Sequence, residues 1–160
     1  MMMLRKHPVT ANAIIVVCPE SNLGFEACHI ERFVRECALN DVVVMHEDVH
    51  NRPGIRTTHD TKEIMHGLLR DCLANDGLRT SRDLVASDGK AETHLKELET
   101  QMGSYAIIVE PGSTSFAKAR RTYSGKSGGS QDDLIISLQL CFLARSVFWQ
   151  HSDQKYQQWV

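Results

Sequence analysis

The chain has 160 residues, the length of one domain with a core of its own. Hydrophobic residues make up 42% and charged residues 24%, the balance of a globular chain, and a net charge of −2 gives no overall attraction for a polyanion. Apolar runs such as Ile14 to Cys18 fall far short of the ~20 residues of a membrane span, and Met1 to Pro8 lack the apolar stretch of a secretory signal.

Asn12 to Pro19 is short, β-branched and almost wholly apolar, which predicts a strand buried on both faces. Ser21 and Asn22 are candidate helix caps, and Phe25, Cys28, Phe33, Val34 and Cys37 predict an amphipathic helix over 23–39. Asp41 to Met45 predicts a second buried strand, so that strand, helix and strand form a parallel crossover unit. Asn51, Pro53 and Gly54 break the chain. Asp60 or Thr61 then caps a helix to about Asn75, with Ile64, Leu68 and Cys72 on its apolar face. Leu84 to Ala86 is at most a short strand, and Lys90 to Met102 a polar surface helix. Tyr105 to Val109 predicts a strand, and Phe116 to Tyr123 another strand or an extended arm. Gly125 to Gly129 is a turn, and Asp132 to Trp149 a helix apolar almost all round. The alternation predicts an α/β domain with a mixed sheet.

Five cysteines, an odd number without a C-x-x-C pair, point to reduced thiols in a cytosolic or nuclear protein, and the eight histidines show no zinc-binding spacing. Glu20 stands at the carboxyl end of the first strand, the edge where open α/β sheets hold ligands. Asp132 and Asp133 open the last helix behind a glycine-rich turn. Carboxylates so placed are the oxygen ligands that Mg²⁺ and Mn²⁺ prefer. A plainer reading has Glu20 merely ending a strand, Asp133 closing a capping box with Ser130, and Asp132 favoured by the helix dipole. If Asp133 is engaged with the backbone, Asp132 is the better ligand. Pro111 to Gln131 contains no acid but carries Lys118, Arg120, Arg121 and Lys126 beside Phe116 and Tyr123. This stretch is either a phosphate-holding surface or a solvated loop or edge. Gly125 to Ser130 imitates a phosphate loop, but Arg120 occupies the place of its first glycine, which excludes an ATPase reading of this segment.

Three stretches in order, IIVVCPESNLGFEACHIERFV, PGIRTTHDTKEIMHGLLRDCL and YSGKSGGSQDDLIISLQL, cover most of residues 12–145. Together they resemble the nuclease domain of the large terminase subunit of herpesviruses and, more distantly, of tailed phages. The resemblance implies a ribonuclease-H-like mixed sheet flanked by helices, with a core of about residues 12–150. It implies three acids binding two Mg²⁺ or Mn²⁺ ions to cut concatemeric duplex DNA into genome units. Glu20 corresponds to the middle acid and Asp132 or Asp133 to the last. Lys62 corresponds to a lysine near the site, supporting the attacking water or the phosphate charge, though it also reads as a first-turn surface lysine. Double-stranded DNA, other terminase subunits and the capsid portal are the implied partners, in the host cell nucleus and without a membrane. The family's first acid lies upstream of the middle one, whereas residues 1–19 contain no Asp or Glu. The resemblance therefore implies a C-terminal piece of the nuclease domain, lacking its first strands and inactive when isolated. A nonenzymatic DNA-binding or assembly module of the packaging machinery is the competing expectation, and an unrelated small α/β enzyme or nucleotide binder a third.

Overall fold

The computed structural model describes residues 13–22, 25–39, 41–47, 50–79, 90–111, 119–125 and 132–155. Their elements are β1 (Ile15–Val17), α1 (Glu26–Glu36), β2 (Val42–Val44), α2 (His59–Ala74), α3 (Ala91–Ser104), β3 (Ala106–Glu110), β4 (Arg120–Ser124) and α4 (Asp133–Lys155). The class is mixed α/β, as the alternation predicts. The single mixed sheet is not found among the described residues: one two-stranded sheet is parallel and a second is antiparallel. The chain divides into two compact units, residues 1–57 with 144–160, and Thr58–Leu143.

In the first unit, β1 and β2 pair in parallel, Ile15 with Val42, Val16 with Val43 and Val17 with Val44. Parallel neighbours need a crossover, and α1 supplies it. β1 is half-buried along its length, and Val43 is exposed while Val42 is buried, so these strands are not enclosed on both faces as expected. The face of α1 also differs from expectation. Ala27 is buried, with Ile30, Glu31 and Val34 half-buried at helical spacing, while Phe25 and Phe33 are exposed. Phe25 stands at the N-cap without a side-chain bond, so neither Ser21 nor Asn22 caps this helix.

The segment around Gly54 does more than break the chain. Ile55 N–H donates to the Pro19 carbonyl at 2.8 Å, Ser21 N–H to the Ile55 carbonyl at 2.9 Å, and Gly54 N–H to the Met45 carbonyl at 2.7 Å. Residues 53–55 thus bridge the carboxyl ends of both β1 and β2. Gly54 adopts φ +87°, and a Cβ there would stand 2.8 Å from both the Ala27 Cβ and the Pro19 carbonyl oxygen. Only glycine fits this backbone and this spacing.

In the second unit, Thr58 is the N-cap of α2, its hydroxyl accepting from Thr61 N–H at 3.2 Å. This replaces the expected cap at Asp60 or Thr61. Met65 and Leu69 form the buried side of α2 and Ile64 is exposed, one residue from the expected stripe. A helical face is set by neighbours on every side, and alternative stripes offset by one residue carry similar apolar content here. β3 and β4 pair antiparallel from Ala106–Ser124 to Glu110–Arg120. All five residues of β3 are exposed, so its apolar composition does not mark a core strand. Tyr123 on β4 is buried instead, beside the His59 and His66 rings of α2. On α4, Ile135, Ile136, Gln139, Leu140 and Leu143 are buried, whereas Ser137 and Cys141 are exposed. The helix therefore buries a stripe rather than its whole circumference. Leu84 to Ala86 lie outside the described residues. Among the described residues, no helix is long and apolar enough to cross a membrane.

Candidate metal centre and nucleic-acid interface

Glu20 lies where β1 runs out, bridged in parallel fashion to Ile55. Its side chain is exposed but not unattached. Asn22 Nδ2 donates to Glu20 Oε1 at 2.6 Å, and the Thr57 hydroxyl donates to the same oxygen. Asn22 Nδ2 also donates to the Thr57 hydroxyl, while Thr57 N–H donates to Asn22 Oδ1 at 3.0 Å. The backbone pairing of Pro19, Ser21 and Ile55 brings these three side chains together across a sequence separation of 37 residues. Both contacts to Glu20 fall on Oε1, and Oε2 has no protein partner among the described residues.

The other acids belong to the second unit. Asp132 is buried at the amino end of α4, where its carbonyl accepts Ile136 N–H at 2.9 Å. Its Oδ2 accepts Gly125 N–H at 3.3 Å, tying the start of the helix to the end of β4. A Cβ on Gly125 would lie 2.9 Å from the Asp132 Cβ, so this approach also depends on glycine. Asp133 is exposed in the first turn. Sequence reasoning made the choice between the two acids depend on which was engaged with the backbone. Among the described residues, the backbone-bonded carboxylate is that of Asp132. Ser130, the proposed partner of Asp133, lies outside the described residues.

Lys62 is half-buried in the first turn of α2, its N–H donating to the Thr58 carbonyl at 3.0 Å. Arg121 is exposed on β4 and its Nη1 lies 3.1 Å from Glu63 Oε1. Arg120 stands opposite Glu110 in the strand register. Lys118 and Lys126 lie outside the described residues.

The second unit also holds a polar aromatic cluster that sequence reasoning does not single out. The His66 ring stacks on Tyr105 at 6.0 Å between centroids and tilts against Tyr123 at 5.4 Å. Tyr105 hydroxyl donates to Gln139 Oε1 at 3.4 Å. His66 Nδ1 and Gln139 Nε2 are buried without a partner among the described residues. Burial, and then the charge of Arg70, hold the His66 imidazole below its ordinary pKa. Burial pushes the Tyr105 phenol up, and the negative charge of Asp132 adds to that rise.

A ligating carboxylate is characteristically held from behind by hydrogen bonds, with an oxygen left for the cation. Glu20 fits that pattern, and Asp133 is open by exposure. Asp132 is the most enclosed of the three, with one oxygen already bonded to the backbone. Among the described residues, no three His, Cys, Asp or Glu side chains gather into a group able to hold a metal. Asn22 and Thr57 were missed as site residues. Asn22 reads as a helix cap, and Thr57 carries no signal of its own in the stretch PGIRTTHDTKEIMHGLLRDCL. Comparison with protein-family models, curated proteins and solved structures yields no significant match.

Proposed function

We propose that this chain is part of a metal-dependent endonuclease of the terminase kind, built on a ribonuclease-H-like plan and cutting concatemeric duplex DNA into genome units. The proposal includes the host nucleus as its location, and other terminase subunits and the capsid portal as partners. The observation that carries it is Glu20, at the carboxyl edge of a parallel crossover, with one carboxylate oxygen held by two donors and the other without a protein partner among the described residues. The order of the three sequence stretches supports the same reading. In it, Glu20, Asp132 and Asp133 are the candidate ligands for Mg²⁺ or Mn²⁺, and exposure favours Asp133 over Asp132 as a direct ligand. Two such ions, when bound, activate water and stabilise the leaving oxygen of a phosphodiester. Lys62 holds phosphate charge or supports the water, and Lys118, Arg120, Arg121 and Lys126 hold the backbone of duplex DNA without reading its sequence.

Plasmid cleavage tests this, with Mn²⁺, with Mg²⁺ and with chelator. The 160-residue chain is expected to cut weakly or not at all, because residues 1–19 supply no first acid. A longer chain carrying an additional acidic strand is expected to cut in a metal-dependent way. In that longer chain Glu20→Gln and Asp133→Ala should each remove cleavage while leaving DNA binding largely intact. Robust cutting by the 160-residue chain, undiminished by Glu20→Gln, would sink the site assignment.

The second reading is a DNA-binding or assembly module without catalysis. It rests on the acid-free basic stretch around Arg121, which can hold phosphate without a metal. DNA binding without cleavage in the longer chain, unchanged by Glu20→Gln, would decide for it.

A further inference from the structure

We infer that Thr57 and Asn22 are positioning residues for Glu20, forming a relay that engages Oε1 and leaves Oε2 for a cation; this rests on the reading of Glu20 as a cation ligand. An exposed glutamate ordinarily samples many rotamers, and a ligand that must be ordered on binding binds less tightly. Here two donors converge on Oε1. The Thr57 hydroxyl accepts one Asn22 proton and gives its own proton to Glu20, so its orientation is set from both sides. The Asn22 amide is oriented in turn by Thr57 N–H on its oxygen.

Backbone structure holds the relay in place. Ile55 N–H and Ser21 N–H bind the two segments at 2.8 and 2.9 Å, and Gly54 permits that approach because a Cβ would collide with Pro19 and Ala27. Three residues after Gly54, the chain delivers Thr57 to Glu20. The two consecutive threonines then have separate tasks, since Thr58 caps α2 while Thr57 serves the acid. The relay accounts for a glycine and a threonine at this spacing by what each does to Glu20.

The test is Mn²⁺ titration of the 160-residue chain, followed by calorimetry and by paramagnetic broadening of the backbone amides around Glu20. The variants are Glu20→Gln, Thr57→Val and Thr57→Ser, with the Asn22 side-chain amide resonances as a metal-free readout. Thr57→Val keeps the side-chain shape and removes the hydroxyl. It is expected to move the Asn22 resonances and weaken Mn²⁺ binding by about tenfold, the scale seen when a partner behind a ligand is lost. Thr57→Ser should restore both, which a purely space-filling role would not predict. Asn22→Ala provides the same affinity test if Thr57→Val loses its cooperative unfolding transition. A loss of Mn²⁺ response in Glu20→Gln alone, with Thr57→Val and Asn22→Ala binding normally, overturns the positioning role and leaves Glu20 as ligand. No loss in Glu20→Gln overturns the ligand reading and the relay's role with it.

Discussion

Gln101 on α3 reaches the amino end of α4, where its Oε1 accepts Leu134 N–H at 2.9 Å and Ile135 N–H at 3.3 Å. The first N–H groups of a helix have no partner within it, and here a side chain from another helix supplies one. Gln101 is the buried residue of an otherwise polar helix, which gives α3 a structural task in place of an apolar face. Gln101→Leu keeps similar bulk but leaves both N–H groups buried without an acceptor. We expect a loss of roughly 1–3 kcal/mol, measured by urea unfolding. A loss within error would mean that water reaches the start of α4 and that Gln101 is dispensable there.

Two glycine substitutions should change stability in opposite directions. Gly54→Ala places a Cβ at 2.8 Å from backbone and side-chain atoms, at a φ of +87°. The strain should cost about 1–3 kcal/mol. Gly67 lies inside α2 with nothing within 4 Å of a built Cβ. Gly67→Ala should therefore stabilise by about 1 kcal/mol, the difference in helix propensity. Thermal unfolding of the two variants beside the parent chain checks the pair, and a shared sign would contradict the packing described around Gly54.

The crossover was legible in the sequence because Asn12 to Pro19 and Asp41 to Met45 are short, largely β-branched apolar runs separated by a helix-length segment. The faces of α1 and α2 were less legible. Ile64 and Met65 are both apolar, and only a partner surface decides which one is buried. The exposed β3 misled for a related reason, since β propensity describes a strand and not what covers it. Glu20 could be singled out by its place at a strand end. Its partners could not, because Thr57 is 37 residues away and reaches Glu20 only through the unusual backbone at Gly54. Gln101 carried no signal at all, since a glutamine on a polar helix ordinarily faces water.

Acid should destabilise the second unit through His66. Burial and Arg70 lower its pKa in the folded chain, so the unfolded chain takes up the proton first. Stability from this group is fully present above the ordinary pKa of about 6.5 and falls as pH drops from there toward the lowered folded value. His66→Phe keeps a ring against Tyr105 and Tyr123 and removes the buried, unpartnered Nδ1. The variant should lose part of the pH dependence below about 6.5 while retaining stability at neutral pH. Chemical denaturation of both chains across that range provides the comparison, and an identical slope in both would remove His66 as its source.

The ion pair between Arg121 and Glu63 makes the basic strand testable as a DNA surface. Both side chains are about half exposed, so the pair contributes little to stability, on the order of 0–1 kcal/mol. Glu63 nevertheless competes with any phosphate for the same guanidinium. Arg121→Gln should weaken binding to a short duplex and lower the salt slope by about one unit. Glu63→Gln should do the opposite and strengthen binding, because Arg121 loses its intramolecular acceptor. Glu36→Gln, at the end of α1, controls for the change in net charge alone. Phosphate contacts carry no sequence information directly, so both effects should have the same size on unrelated duplexes. Fluorescence anisotropy across a range of salt concentrations measures all three variants. A shift in sequence preference, or equal strengthening by Glu63→Gln and Glu36→Gln, would show that Arg121 does not hold phosphate and that β4 is not part of the DNA surface.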